Sequence, residues 1–272
     1  MEQLDKDTIV QWIESGSHGQ THEQDFDLEV HQQLDSTNSY LLAAPLGKQV
    51  RVCLTENQTA GRGRHGKSWF SPEGSNLYLS LAHRLSGEVS ELSGFSLVIG
   101  ITLVETLQKF CQEKIQLKWP NDLLVNGRKL SGILVEIKSE IKNESNDSYR
   151  VVSGVGVNLV LPADVDEHID QPSISLEQCR PVAPLSRNKI AAEIVSNILH
   201  NVKHFESRGF GHFHHQWNAL DAWYQRPVVL KMGNKTIKGI HQGIDLTGAL
   251  ILEQDGKQTL FSSGEVSLRS DS

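Results

Sequence analysis

The spacing of apolar residues changes several times along this chain, and each change marks an element. Leu4, Ile9, Trp12 and Ile13 recur at helical spacing, which predicts a short amphipathic helix over 4–15. Residues 26–34 alternate apolar and polar, as a half-buried strand does. Ser36 is a good N-cap for a helix through Tyr40, Leu41 and Leu42. Strand patterns follow at 49–54 and 76–82, separated by a polar, glycine-rich loop over 55–68. The stretch 95–110 is mostly apolar and predicts a buried helix. Two short strand patterns, 116–119 and 123–125, are broken by Pro120-Asn121-Asp122. Asn126-Gly127 is a two-residue hairpin signal that joins 123–125 to a strand over 129–137. Residues 149–159 form a further strand, with polar 139–148 as the tip between the two. Ser186 caps a helix to about Ser207, closed by Gly209, and 211–223 suggests another.

After Arg226-Pro227 the character changes. Five short strand patterns, 228–232, 235–242, 249–253, 258–261 and 266–268, are punctuated by Gly233-Asn234, Thr247-Gly248 and Asp255-Gly256. Strands at that density predict a small barrel. The expected fold class is therefore α+β: a mixed β-sheet with flanking helices over 1–224, and a small β-barrel over 225–272. A length of 272 residues suits one large or two modest domains at about 150 residues each.

Composition narrows the function. The longest nearly apolar run, 97–104, is far short of the ~18–20 residues that span a bilayer. The first residues carry acids and no apolar stretch, so they do not read as a secretory signal. Cys53, Cys111 and Cys179 fit neither a metal knuckle nor a disulfide framework. The cytoplasm is the expected compartment, and the glycosylation sequons at Asn143 and Asn146 are coincidental. A net charge of −7 suits a nucleic-acid binder poorly. Yet Arg62, Arg64 and Lys67 stand together without an acid, and Lys114, Lys118, Arg128 and Lys129 flank a stretch whose one acid is Asp122. Two basic loops on an acidic chain suggest a small phosphorylated ligand.

The first loop, Gly61-Arg62-Gly63-Arg64-His65-Gly66-Lys67-Ser68, satisfies the G-x-x-x-x-G-K-S pattern of a P-loop. A P-loop leaves a strand and enters a helix at once. Here polar residues precede the loop, and Pro72 and Gly74 oppose a helix after it. The alternative to a solvated surface loop is one whose glycines let backbone N–H groups approach a ligand while arginines reach its anionic oxygens. In the second stretch, the Pro-Asn-Asp turn exposes an amide and a carboxylate, and Lys129 sits at a hairpin strand start. Alone, Lys129 reads as a surface lysine. With its neighbours it suits activation of a carboxylate by ATP, where a fixed cation meets charge developing on the α-phosphate and a carboxylate holds magnesium. The paired His200 and His204, and His212, His214 and His215, lack a carboxylate or thiol to complete a metal set and read as packed or solvated. Gly154-Val155-Gly156 lacks the third glycine of a dinucleotide fingerprint and reads as a strand open to close approach. Trp69 and Trp119 read as pocket lining or core.

Taken in order, the motifs resemble those of bacterial biotin–protein ligases. They are Leu34-Asp35-Ser36-Thr37-Asn38, then 58–64 (QTAGRGR), 69–72 (WFSP) with 76–78 (NLY), 118–122 (KWPND), 128–136 (RKLSGILVE), 154–158 (GVGVN) and 264–269 (GEVSLR). The resemblance covers nearly the whole chain. It implies a class II synthetase-like catalytic domain with an SH3-like C-terminal barrel. It also implies two half-reactions. Biotin and MgATP give biotinyl-5′-AMP, and a lysine of the biotin carboxyl carrier protein of acetyl-CoA carboxylase then takes the biotinyl group. Carried over by motif, Lys129, Arg62 and Arg64 are catalytic. Ser36, Thr37, Asn38, Gln58, Arg62, Gly63, Arg64, Lys129 and Gly132 bind biotin. Lys118, Trp119, Asn121, Asp122, Asn158 and Arg269 face ATP or the adenylate, with Asp122 as the metal ligand. ATP, magnesium and biotin are the small molecules implied; a monomer or homodimer is expected, with no membrane. Some family members carry an N-terminal helix-turn-helix, but Ser36 arrives too early for one here, so no DNA binding is expected. The stretch 171–176 has no aromatic to stack on adenine, and Ile174 is the available substitute. A lipoate–protein ligase, a P-loop kinase and a non-enzymatic interaction module are the rival readings.

Overall fold

Three polar side chains start the long turns of helix. Asp5 accepts the Thr8 N–H at 2.8 Å and opens α1 (Lys6–Ser15), and Ser36 accepts the Ser39 N–H at 3.4 Å and opens α2 (Thr37–Ala43). Ser186 accepts the Lys189 N–H at 3.2 Å and opens α4 (Arg187–Arg208), which ends at Gly209 with a left-handed φ of 67°. The molecule was analysed as a computed structural model, which describes residues 1–16, 26–45, 47, 50–86, 92, 94–141, 148–165, 169, 171–233, 235–262 and 266–270, with backbone alone at 86, 141 and 266–270.

Seven strands form the first sheet: β1 (Phe26–Leu34), β2 (Val50–Gln58), β3 (Leu77–Ser86), β4 (Ile115–Lys118), β5 (Asp122–Val125), β6 (Arg128–Ile141) and β7 (Ser148–Val157). Their order is β1-β2-β3-β7-β6-β5-β4. β1 and β2 run parallel, with α2 as the crossover, and every other pair is antiparallel. Successive strand residues face opposite sides. Val52 and Leu54 therefore enter the main core, under α1, α4 and the apolar α3 (Phe95–Leu107), while Cys53 joins Leu41, Ala82 and Val152 beneath α2. One face is thick with helices. The other carries α2 and the glycine-rich loop.

Most element expectations hold, with differences at the ends. β2 continues through 55–58 instead of ending at 54, because β1 pairs with it as far as Leu34↔Gln58. The polar residues this buries are satisfied: the Glu56 carboxylate takes the Arg187 guanidinium at 2.7 Å and the Leu4 N–H at 2.6 Å. The Asn126-Gly127 hairpin forms with φ of 50° and 74°, the left-handed pair that a two-residue turn requires. The second late helix, α5, is only His214–Leu220. The tip at 142–147, with Asn143 and Asn146, and Asn234 lie outside the described residues.

The C-terminal strands are β8 (Pro227–Met232), β9 (Lys235–Ile244), β10 (Leu250–Gln254), β11 (Lys257–Phe261) and β12 (Val266–Ser270), in the order β11-β10-β9-β8-β12. This is the SH3-like unit, but as an open sheet. Among the described residues β11 and β12 are its two edges and do not pair, so the expected small barrel is an open five-stranded antiparallel sheet. It leans on the first sheet. Val228, Leu230, Ile244, Leu250 and Leu252 share the main core, and the Trp119 indole N–H donates to the Gly248 carbonyl at 3.0 Å.

Candidate functional site

The sparsely covered face of the first sheet has a floor made of glycine. Gly132 on β6 lies opposite Gly156 on β7, and Leu134 lies opposite Gly154. A Cβ at Gly132 would stand 2.9 Å from the Trp69 ring; one at Gly156 would overlap the indole, and one at Gly154 would overlap Asn38 Oδ1. The absence of side chains thus lets α2 and Trp69 lie directly on the backbone. The open space above is a cleft of about 1080 Å³ including its mouth.

Lys129 reaches this face through a break in strand parity. The β5–β6 register shifts at Leu123/Leu124, so that Leu130 is inserted between Lys129 and Ser131. Such a bulge re-aims the side chains on either side of it. Leu130 and Ile133 enter the core, whereas Lys129 and Gly132 face the cleft together; a Cβ at Gly132 would be 3.1 Å from Lys129 Nζ. The Lys129 backbone is held three ways. Its N–H donates to Pro172 O at 2.9 Å, its carbonyl accepts from the Ile174 N–H at 3.0 Å, and the same carbonyl accepts from Asn158 Nδ2 at 3.2 Å.

The Lys129 ammonium sits 2.7 Å from Asp122 Oδ1 and 5.3 Å from the centre of the Trp69 ring. Lys118 Nζ is 3.3 Å from Asp122 Oδ2. Burial pushes the Asp122 carboxyl up, but the two ammonium groups outweigh it and hold it below the usual carboxylate range. Arg64 leans in from the glycine-rich loop, its Nη1 3.4 Å from Asn121 Oδ1. Burial pulls its guanidinium down, against the pull of Asp122. Asn121 is fixed by β6, donating to Ile133 O at 2.8 Å.

The other end of the cleft is lined by neutral polar groups, with the Arg62–Glu136 pair beside them. The Thr37 N–H donates to Gln58 Oε1 at 3.0 Å, Gln58 Nε2 donates to Ser71 Oγ at 3.0 Å, and the Ser80 hydroxyl lies 2.7 Å from Thr37 Oγ1 and 2.6 Å from Asn38 Oδ1. Over it runs the loop. Arg62 bridges to Ser68, the Gly63 N–H donates to Lys67 O at 2.7 Å, and His65 and Gly66 turn through left-handed φ of 56° and 74°. No α-helix follows Ser68, which removes the P-loop reading.

Most residues singled out from sequence converge here. Ser36, Thr37, Asn38, Gln58, Arg62, Gly63, Arg64, Lys118, Asn121, Asp122, Lys129 and Gly132 all line the cleft. Four are corrected. Trp119 is part of the cleft wall but fully buried, with its N–H committed to Gly248. Asn158 does not reach the cleft; its amide ties the Lys129 and Ile174 carbonyls. Ile174 is a core residue and offers adenine no surface. Asp122 is a poor fit for a metal ligand as it stands, because both its oxygens face ammonium groups. Arg269 lies on β12, but its side chain is outside the described atoms. The paired His200 and His204 face each other on the exposed end of α4 at 3.1 Å, away from the cleft. Ser71, Ser80 and Glu136 were missed; single polar residues inside strand or loop patterns carry no signal of their own.

Comparison with known proteins agrees with this geometry. The profile of the biotin/lipoate A/B protein ligase family matches residues 30–158, and that of the biotin protein ligase C terminal domain matches 226–269. The bifunctional ligase/repressor BirA of Salmonella typhimurium is 40% identical over 269 residues, 98% of this chain and 79% of that protein. The biotin--[acetyl-CoA-carboxylase] ligase of Mycobacterium tuberculosis is 30% identical over 247 residues, 88% of each chain. Among solved structures, the biotin protein ligase from Aquifex aeolicus in complex with biotin and ATP superimposes with a TM-score of 0.74 at 25% identity, covering 90% of this chain and 99% of that one. With its motifs in order and its cleft assembled from them, the chain belongs to the biotin/lipoate A/B protein ligase family, among the biotin protein ligases.

Proposed function

We propose that the glycine-floored cleft holds biotin at its neutral polar end and ATP at its cationic end, and that residues 1–224 form the catalytic domain. The protein is a biotin ligase: it activates biotin with ATP and transfers it to acetyl-CoA carboxylase, where the acceptor is a lysine of the biotin carboxyl carrier protein. Thr37, Asn38, Gln58 and Ser36 offer the donors and acceptors that a cyclic urea needs, and Trp69 supplies the apolar wall. The biotin carboxylate attacks the α-phosphorus and pyrophosphate leaves. Lys129 balances charge on the carboxylate and α-phosphate oxygens, and Arg64 and Lys118 hold the polyphosphate. The carrier's lysine amine then attacks the acyl carbon, AMP departs with the bonding pair, and the amine loses its proton. Magnesium is proposed to enter on the nucleotide's phosphates, since Asp122 is already engaged. Residues 225–272 are proposed to help hold ATP or the carrier.

The observation that carries this reading is the bulge that turns Lys129 toward the glycine floor between Asp122 and Trp69. The test is the intact mass of a carrier domain after incubation with the protein and MgATP, with biotin in one arm and lipoate in the other. Gain of one biotinyl group is expected. Gain only with lipoate moves the protein to the sister activity, and gain with neither refutes the assignment.

A further inference from the structure

Glu136 stands beside the polar end of the cleft, and its position is unusual. It lies on the same face of β6 as Gly132 and Leu134, four residues beyond the glycine floor and opposite Val152 of β7. A single oxygen, Oε2, accepts from Asn38 Nδ2 at 2.8 Å and from Arg62 Nη2 at 2.6 Å. Arg62 belongs to the glycine-rich loop, and Asn38 belongs to the first turn of α2.

The two partners differ in kind. Asn38 is buried, and its amide is oriented at both ends: Oδ1 faces the Ser80 hydroxyl at 2.6 Å, while Nδ2 faces Glu136 and the Leu134 carbonyl at 3.2 Å. Glu136 is thus aligned from the sheet side by a fixed donor. Arg62 is half-exposed, with 40% of its side chain accessible, and its neighbours Gly61 and Gly63 give the loop little side-chain anchorage. Gly61 itself is packed: a Cβ there would stand 2.5 Å from Trp69 O. The loop is therefore hinged firmly at Gly61 and tied down at its ascending limb by a charge-assisted bond to a pre-oriented carboxylate.

We propose that Glu136 is a positioning residue that docks the glycine-rich loop over the biotin end of the cleft and so keeps the acyl-adenylate from water. This rests on the reading of the cleft given above. It acts through Arg62 and touches no reacting atom. An acyl-adenylate outside a closed site hydrolyses, with water attacking the acyl carbon and AMP leaving, so a loosened loop shows itself as wasted intermediate.

The experiment uses the full chain as wild type, Glu136→Gln and Glu136→Ala, with biotin and MgATP but no carrier. Pyrophosphate formation has two phases: a burst of one per chain that reports adenylation, and a steady rate that reports loss of biotinyl-AMP. Glu136→Gln keeps the shape and the Asn38 bond but loses the charge. Its burst stays normal while its steady rate rises by about tenfold, the loss of one charge-assisted bond. A purely structural role would lower the burst and leave the steady rate per burst unchanged. A normal burst with a steady rate within twofold of wild type overturns the proposal. Trypsin cleaves after Arg62, Arg64 and Lys67 and reads the same tie without any ligand. Faster cutting of the loop in Glu136→Gln, again by about tenfold, supports the proposal, and equal cutting overturns it. Absence of a burst in the wild type would refute the ligase reading, while the trypsin comparison still decides the role of Glu136.

Discussion

Lys129→Ala separates the two jobs that the geometry gives to one ammonium. The first is the proposed catalytic one. A preorganised donor aimed at developing charge is worth about 10²–10³ in rate, so biotin-dependent pyrophosphate formation falls by that factor. The second is local. Asp122 is buried, with 11% of its side chain accessible, and loses the nearer of its two cations, at 2.7 Å, keeping Lys118 at 3.3 Å. Breaking a buried pair outright costs about 3–5 kcal/mol; with one cation left, roughly 2 kcal/mol is expected. In a chain of this size that lowers the melting temperature by about 4 °C. Adding Asp122→Asn removes the orphaned charge, and the double variant regains at least half of the lost stability. It does not regain activity, because no cation has returned. Calorimetry and a coupled pyrophosphate assay on the same samples separate the effects. Activity of Lys129→Ala within tenfold of wild type would refute the charge argument. So would recovery of activity in the double variant, since the lysine would then serve only to neutralise Asp122.

Gly154→Ala places a methyl group on Asn38 Oδ1 and Gly156→Ala places one on the Trp69 indole; each costs about 1–3 kcal/mol by overpacking, weakens biotin binding, and is checked by urea unfolding and calorimetric titration with biotin. Arg187 is fully buried, paired with Glu56 at 2.7 Å and donating to Asn76 O at 3.0 Å. Arg187→Met strands the carboxylate and lowers stability by about 3–5 kcal/mol; a loss below 1 kcal/mol, about the worth of a surface pair, contradicts this account. His83 is buried against Phe95, and burial pulls its imidazole from 6.5 down to about 4. The unfolded chain takes the proton first, so stability is unaffected above pH 6.5 and falls as pH drops from there toward 4. The fall totals about 3 kcal/mol, and a His83→Phe variant shows a correspondingly flatter acid limb in denaturant titrations.

Much of this was readable from residue order because the local signals are strong where the chain turns. Ser36, Ser186 and Asn126-Gly127 each satisfy a specific backbone requirement, and each element began where they stand. The ends were harder. Thr55 and Glu56 look like loop residues because their partners, β1 and Arg187, are remote in sequence; only pairing and a buried cation make them strand. The site was legible as a set of motifs, yet not in its division of labour. Asn158 belongs to the motifs but works from behind, fixing the Lys129 carbonyl, and Trp119 ties the cleft wall to the core under the C-terminal sheet. The bulge at Leu130 left no trace, since strict alternation from Lys129 would have sent it to the same face as Ser131 and Ile133.

That bulge also explains how a chain of net charge −7 keeps a cationic site. Arg62, Arg64, Lys67, Lys118 and Lys129 line the cleft against Asp122 alone, with Glu136 taking Arg62 at the rim. Side chains so crowded repel one another, and a long lysine facing open solvent would swing away. Asp122 prevents this by holding both lysines from beneath, and its depressed pKa keeps it ionised throughout the neutral range. Its single charge is too small to cancel them, so a surplus remains for polyphosphate. On the proposed reading the nucleotide adds anionic charge above the ammonium groups, while the carboxylate holds them from below. The ion pair is therefore the resting geometry of the site, and the little reorganisation it requires is what lets a fixed cation act as soon as substrate arrives.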